Sequence, residues 1–503
     1  MKKRTRILAL LLALLALSLT IVSCKNNNAS QTESQTPSTD ASTDVGEQLD
    51  LPEMNFNGTV INFASIGQEG TFKYCEFATE EYTDEPVNDA VYDRNALIES
   101  KYGIKITVTN HKDYNALVDG VTSNINTGSN YFQAVAIPIM YTAVKLGTAG
   151  FLYDLNAVNE DAGVDYLHLT KEWWDQSAVR DLSISNVLYY ATGDICVSDN
   201  GATWAVFFNK DIVQDNGIED LYSVVKVNNW TIDYMHTCIK QATKLVGDTM
   251  DYTEDTDDTW GMVSQTYDGV AFMWGCAQSM VQKDDNDIPS IRLLADRNVE
   301  VFGNVLDMLI DLTNVGVADH YGRWDSGIYG VKTKIFTNGH ALFLPGSINT
   351  VDSEEMRNAS IHYGILPMPL ADENQEEYSS HGNVYDATVV SIPISVKESE
   401  LAPILYAFET MAYYGKQMVT DEYYEVTLKN KRFTDDDSPE MLDIISRNRT
   451  WDLAAIYDWG SALYIYTDQI GAKTNTLVSK VQEKNSTIES AMQKTIEAIE
   501  SNK

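Results

Sequence analysis

Carboxylates are the most abundant reactive groups in this 503-residue sequence, with 73 Asp and Glu against 36 Lys and Arg and a formal net charge of −37. Two carboxyls at a suitable separation are enough to cleave a glycosidic bond, so a surface glycoside hydrolase is one reading. Acidic pairs arise at random in such a chain, however, and other signs of catalysis are missing. The sequence has no Gly-x-Ser-x-Gly elbow, no Gly-x-Gly-x-x-Gly and no P-loop. Its seven histidines are scattered, with no His-x-x-x-His pair beside a glutamate. The acidic run Asp251–Asp258 lacks the Asp-x-Asp-x-Asp-Gly order of a calcium loop, and like Asp435–Asp437 it reads as solvated surface. Neither a metal nor a cofactor is expected. Nine tryptophans and 28 tyrosines supply flat ring faces, and pockets pair such faces with a few orienting polar groups. That composition favours binding over turnover. A body this negative is repelled by phosphate backbones, so nucleic acid is a poor partner.

The N-terminus carries its own chemistry. Lys2, Lys3, Arg4 and Arg6 precede an almost wholly apolar run from Ile7 to Val22, which then meets Ser23-Cys24. A charged stub followed by a short apolar run is the layout of a secretory signal. Ile21-Val22-Ser23-Cys24 resembles the lipobox of bacterial lipoproteins, which implies a signal peptide over 1–23, lipidation (palmitate) at Cys24, and residence on the extracellular face of the bacterial cell membrane. Two or more acyl chains make a lasting anchor where one is marginal. Residues 24–53 then form a flexible tether, because 25–50 contain almost nothing to bury. With Cys24 so assigned, Cys75, Cys196, Cys238 and Cys276 remain. Their wide spacing leaves three full disulfide pairings and four free thiols all open.

The remaining roughly 450 residues exceed one ordinary core and point to two lobes. Val60–Ala64 reads as a strand after the Asn57-Gly58 turn. Val87, Ala90, Val91, Arg94, Leu97 and Ile98 then mark a helix, with Pro86 at its start and Gly103 just beyond its end. Ile104–Val108 alternates as a strand, Tyr114–Ile125 is helical, and Ala134–Ile137 is a third strand. This β-α-β-α-β order predicts a mostly parallel sheet covered by helices. Further on, Ala205–Phe208 is a strand ending at Asn209, and Trp230–Leu245 and Asn304–Leu312 are helices. Ala341–Leu344 is a strand broken by Pro345-Gly346, and Val389–Ile392 is closed by Pro393. Leu401, Ile404, Leu405, Phe408 and Ala412 share one helix face, and Leu477–Ile496 forms a long last helix.

In this order the segments resemble the extracellular solute-binding proteins of bacterial ABC importers, the sugar-binding group known as family 1. The resemblance rests on Asn88–Asn95 running into Lys101–Ile106, on Gly150–Asn156, and on Trp204–Asp211 followed by Asn229-Trp230-Thr231. Phe336–Phe343 and Tyr363–Pro369 complete it. It covers about 58–415. It implies an α/β fold of the type II periplasmic-binding-protein kind, with two lobes, a ligand cleft and crossing hinge strands. Residues 54–204 and 387–445 would form the first lobe, and 205–386 and 446–503 the second. The implied role is capture of a small solute, foremost a carbohydrate or oligosaccharide, and its delivery to the importer's membrane subunits by lobe closure. No enzymatic activity is implied.

For a sugar, the candidate ring faces are Trp204 at the lobe crossing, Trp274 beside Gly275, Trp324, Trp459 beside Gly460, and one of Trp173 and Trp174. The candidate polar partners are Asp84, Asp268, Asp325 and Asp386, near turns or strand ends. Asn209 and Asp211 instead suit local capping at the crossing. An adhesion or sensory lipoprotein reusing the fold stands beside the glycoside hydrolase as an alternative.

Overall fold

The computed structural model describes residues 47–66, 74–247, 256–311, 315–318, 328–433 and 435–503. The expected signal peptide, Cys24 and the expected tether up to residue 46 lie outside these residues, as do Trp324, Asp325 and most of the Asp251–Asp258 run. Among the described residues no helix is long and apolar enough to cross a membrane. The folded body begins sooner than residue 54. Leu49 and Leu51 pack against the core, and the Tyr406 hydroxyl donates to the Pro52 carbonyl at 2.9 Å.

The strands, in chain order, are β1 (Thr59–Ser65), β2 (Ile104–Asn110), β3 (Ala134–Pro138), β4 (Trp204–Asn209), β5 (Trp260–Gln265), β6 (Val281–Lys283), β7 (Pro289–Ile291), β8 (Val315–Ala318), β9 (Ala341–Ser347), β10 (Tyr363–Leu366), β11 (Ser380–His381), β12 (Thr388–Ser391) and β13 (Arg449–Thr450). They form two main sheets, ordered β12-β3-β1-β2 and β10-β4-β9-β5-β8. In the first, β1 runs parallel to β2 and β3, and β12 is antiparallel to β3. In the second, β5 runs parallel to β8 and β9, while β4 is antiparallel to β9 and β10. The central parallel strands β1, β3 and β5 are buried almost throughout, as sheets covered by helices require, while β2 at the sheet edge is largely part-exposed.

Local chemistry sets the boundaries of the first helix, Pro86–Tyr102. The Glu85 carboxylate accepts the Asn88 N–H at 2.8 Å, Pro86 fills a position that needs no N–H, and Gly103 ends the helix at φ 62°. A Cβ on Gly103 would also lie 2.6 Å from Asn55 Oδ1. Asn209 and Asp211 act as expected. Asn209 Oδ1 accepts the N–H groups of Asp211 and Ile212, and Asp211 accepts the His362 N–H at 3.1 Å.

Two elements differ from expectation. The helix sought at Asn304–Leu312 runs from Asp296 to Leu309, with Val301, Phe302 and Val305 buried on the same face. Strand β9 passes through Pro345 to Ser347. Its pairing with β5 stops at Phe343, so the N–H that proline lacks is not needed on that side. The Pro345 carbonyl still accepts from Lys332 Nζ at 3.0 Å.

Three stretches join the two sheets' surroundings. Thr203, just before β4, bridges Gly382, just after β11, and β11 pairs in parallel with β13 through Ser380–Arg449 and His381–Thr450. Cys75, Cys196, Cys238 and Cys276 are all free thiols, and all but Cys75 are buried.

Candidate functional site

In open α/β sheets, ligands sit beyond the carboxyl ends of the strands. At that end of β1, β2 and β3 lies a small recess with a cavity volume of about 80 Å³, lined by Ser65, Tyr74, Glu76, Asn110, Pro138 and Thr388 among others. Burial pushes the Glu76 carboxyl up to about 7, although it accepts the Val197 N–H at 3.0 Å. Tyr74 reaches out of the recess to Asp352 Oδ2 at 3.2 Å, a residue just beyond β9 of the other sheet.

Beside this recess, four aromatic rings form a continuous floor between the sheets. Trp204, at the start of β4, stacks on Tyr267 at 5.8 Å and 30°. Tyr267 follows the end of β5 and meets Tyr385 at 6.0 Å and 65°. The Tyr385 and Tyr464 hydroxyls lie 2.7 Å apart. Tyr141, just beyond β3, has its hydroxyl pKa raised by burial and by the nearby Asp386 and Tyr464. Burial pushes Asp458 up to about 6, and its charge helps to raise the Tyr385 phenol. Among the described residues, no hydrogen-bond partner reaches Trp204 Nε1, Thr266 Oγ1, Thr388 Oγ1 or Asp458 Oδ1. Buried polar atoms are normally paired. Four unpaired atoms beside the buried Trp204–Tyr267 stack make this cluster the candidate site for a hydroxyl-rich molecule with an apolar face.

Of the residues singled out from sequence, Trp204 and Asp386 lie at this floor, and Asp386 is held by Asn383 Nδ2 at 2.8 Å. Trp274 borders the floor, its ring edge-on to Tyr267 at 6.5 Å. Trp274 lies face to face on His381 at 3.7 Å and donates to Asp452 Oδ2 at 3.2 Å. Burial holds that histidine neutral, with its pKa pushed down to about 3. Trp459 donates to Thr495 Oγ1 at 2.9 Å and stacks on Tyr457, fixing the last helix, Leu477–Ser501. Trp173 and Trp174 are both buried, and both indoles donate to Glu409, at 3.1 and 2.9 Å. Asp268 is fully buried and accepts from Ser264, the Gln265 N–H and Lys332. Asp84 is an exposed turn residue at φ 63°. Sequence reasoning missed Tyr267, Tyr385, Tyr464, Tyr141 and Asp458. For Tyr267 a signal existed, since it stands two residues past the end of a parallel strand.

No family model matches the sequence, and neither does any curated protein. Solved structures do match in fold. The ABC substrate-binding protein Lmo0181 from Listeria monocytogenes, in complex with cycloalternan, superposes with a TM-score of 0.53 at 14% identity, covering 86% of this chain and 99% of that one. A cyclo/maltodextrin-binding protein complexed with maltotetraose gives 0.53 at 13% identity, covering 88% and 96%. UgpB from Mycobacterium tuberculosis, in complex with glycerophosphocholine, gives 0.51 at 12% identity, covering 87% and 98%. With its two open α/β sheets and the strands that cross between them, the chain has the fold of the substrate-binding proteins of ABC importers.

Proposed function

We propose that this protein captures a neutral carbohydrate, foremost an oligosaccharide, outside the cell and hands it to an ABC importer by closing its lobes around it. The supporting observation is the floor of Trp204, Tyr267, Tyr385 and Tyr464, with unpaired polar atoms set beside it. Aromatic faces shelter the C–H faces of a pyranose, and hydroxyls suit the leftover donors and acceptors. Two of the fold's solved representatives hold cycloalternan and maltotetraose.

A neutral solute is favoured because three nearby cations are already engaged, while Lys484 lies within electrostatic reach of Asp458. Arg94 donates to the carbonyls of Ile195, Glu76 and Phe77, Arg432 pairs with Asp352, and Lys332 with Asp268. Any of these three would have to leave its partner to hold a phosphate. The Cys24 anchor and the tether fit this role, since they keep the receptor near the membrane subunits it serves.

The test is calorimetry of the chain against malto-oligosaccharides, cyclic glucans, raffinose-type sugars and glycerophosphodiesters. Saturable binding of a glycan with no product release supports capture. Binding of the phosphodiester alone would overturn the carbohydrate assignment. Cleavage of a glycan, lost on changing Asp386 or Asp458, would turn the reading to a glycoside hydrolase.

A further inference from the structure

Two side chains three residues apart on one crossing segment are fastened to opposite lobes. Arg449, on β13, is 7% exposed, and its Nη1 lies 2.8 Å from Asp175 Oδ2 and 2.7 Å from Asp199 Oδ2. Its Nη2 donates to Asn200 Oδ1. These partners stand on the side of the first sheet, because the Asp175 N–H donates to the Thr192 carbonyl and adjoining Ala191 bridges Val390 of β12. Asp175 also caps the helix Gln176–Asp181, and Asp181 accepts the Trp451 backbone N–H at 3.2 Å. That short helix therefore holds the crossing at both of its ends.

One residue further on, the attachment changes sides. Asp452 is 1% exposed, and its Oδ2 accepts from Trp274 Nε1 at 3.2 Å, Ser279 Oγ at 3.0 Å and the Met280 N–H at 2.7 Å. All three donors come from the helix Asp268–Gly275 and the turn after it, which follow directly from β5 of the second sheet. Oδ1 of the same carboxylate accepts the Ala454 N–H and starts the helix Leu453–Tyr457.

We infer that lobe rotation at this crossing is absorbed in the backbone of Thr450, Trp451 and Asp452, with Arg449 and Asp452 as the positioning residues that grip either side. A hinge is a few residues absorbing a change in φ and ψ between two rigidly held bodies, and here the gripped side chains bracket that interval. Its own backbone ties are the Trp451 N–H donated to Asp181 and the Gly382 N–H donated to the Thr450 carbonyl. The Trp451 ring extends the effect to the neighbouring strand. A Cβ on Gly382 would lie 2.5 Å from that ring, so the stretch after β11 has to turn with Trp451. Neither positioning residue is one of the floor residues, so both act on the solute through the geometry of closure.

This inference rests on the capture reading, but its decisive measurement needs no solute. With Cys75→Ser to remove the half-buried thiol, spin labels at exposed Asp119 and Asp233 report one side of the hinge each, through the helices Tyr114–Asn126 and Ile232–Ala242. The ligand-free full-length chain should give one narrow distance distribution. Arg449→Lys keeps the charge but loses the forked contact, and Asp452→Asn keeps the shape but weakens the acceptor. Each should broaden the distribution and shift its mean, and each should change the Kd for a bound glycan by roughly tenfold. Asp175→Asn, which loosens one arm of the grip, serves where a variant folds poorly. Unchanged distributions alongside lowered melting temperatures would reduce both residues to ordinary packing and overturn the proposal. Failure to find any solute would instead count against capture, while the ligand-free distances would still decide the hinge.

Discussion

Asp458 shows how one residue's surroundings prepare it for a ligand. Its backbone is in the left-handed region at φ 46°, and its Oδ1 has no partner among the described residues. Burial pushes its carboxyl up to about 6 from 3.8. An ionised carboxylate accepts hydrogen bonds from sugar hydroxyls more strongly than its protonated form does. Binding should therefore be strongest above about pH 6 and weaken as pH falls through that value, the direction expected when protonation removes the better acceptor. Calorimetry from pH 5 to 8 should show this slope, and Asp458→Asn should flatten it. Tyr267 offers a second test. Tyr267→Ala removes the ring joining Trp204 to Tyr385, and the lost contact should weaken glycan affinity by roughly tenfold or more. Tyr267→Phe should retain most of it, since the stacked face remains.

Elements show which features were legible in the sequence. The β-α-β-α-β opening was legible because periodicity and caps are local: Pro86, Gly103 and the alternation in Ile104–Val108 need nothing distant. The aromatic floor was not, because Tyr385 and Tyr464 are 79 residues apart and meet only in the folded chain. Four of the tryptophan candidates are held within the body for a specific reason. A buried indole N–H seeks an acceptor, and Trp173, Trp174, Trp274 and Trp459 find theirs at Glu409, Asp452 and Thr495 within the body. Trp204, like Trp451, finds none among the described residues, and it is the stack on Tyr267 that places Trp204 at the floor. Glu409 lies on the helix Glu398–Tyr414 and also accepts the His168 backbone N–H at 3.1 Å, so one carboxylate gathers two indoles and a loop. Glu409→Ala would leave several buried donors unpaired and should cost about 3 kcal/mol, read as a lower midpoint in urea. Glu409→Gln, which keeps an acceptor, should cost less.

At the scale of the whole molecule, buried carboxyls set the pH dependence of stability. Burial raises Glu76 and Asp194 to about 7 and Asp199 to about 6, from ordinary values of 4.5 and 3.8. Between roughly pH 4 and 7 the folded chain therefore holds protons that the unfolded chain has released, and stability falls as pH rises through that window. His381 works the other way. Its pKa drops from 6.5 to about 3, so acid favours unfolding through this one group as pH falls below 6.5. Three carboxyls outweigh one imidazole until the unfolded carboxylates themselves begin to protonate, near pH 4.5. The net charge of −37 acts in the same direction, because protonation eases self-repulsion. The melting temperature should accordingly be higher at pH 5 than at pH 7.5. Asp194→Asn should raise it at pH 7.5 and reduce the difference, since the amide carries no charge to bury. A melting temperature that instead climbed from pH 5 to 7.5 would mean that these carboxyls ionise as readily in the folded chain as in water. The segment from Asp194 to Asn200 would then be wet and loosely held, and Arg449 could not grip it.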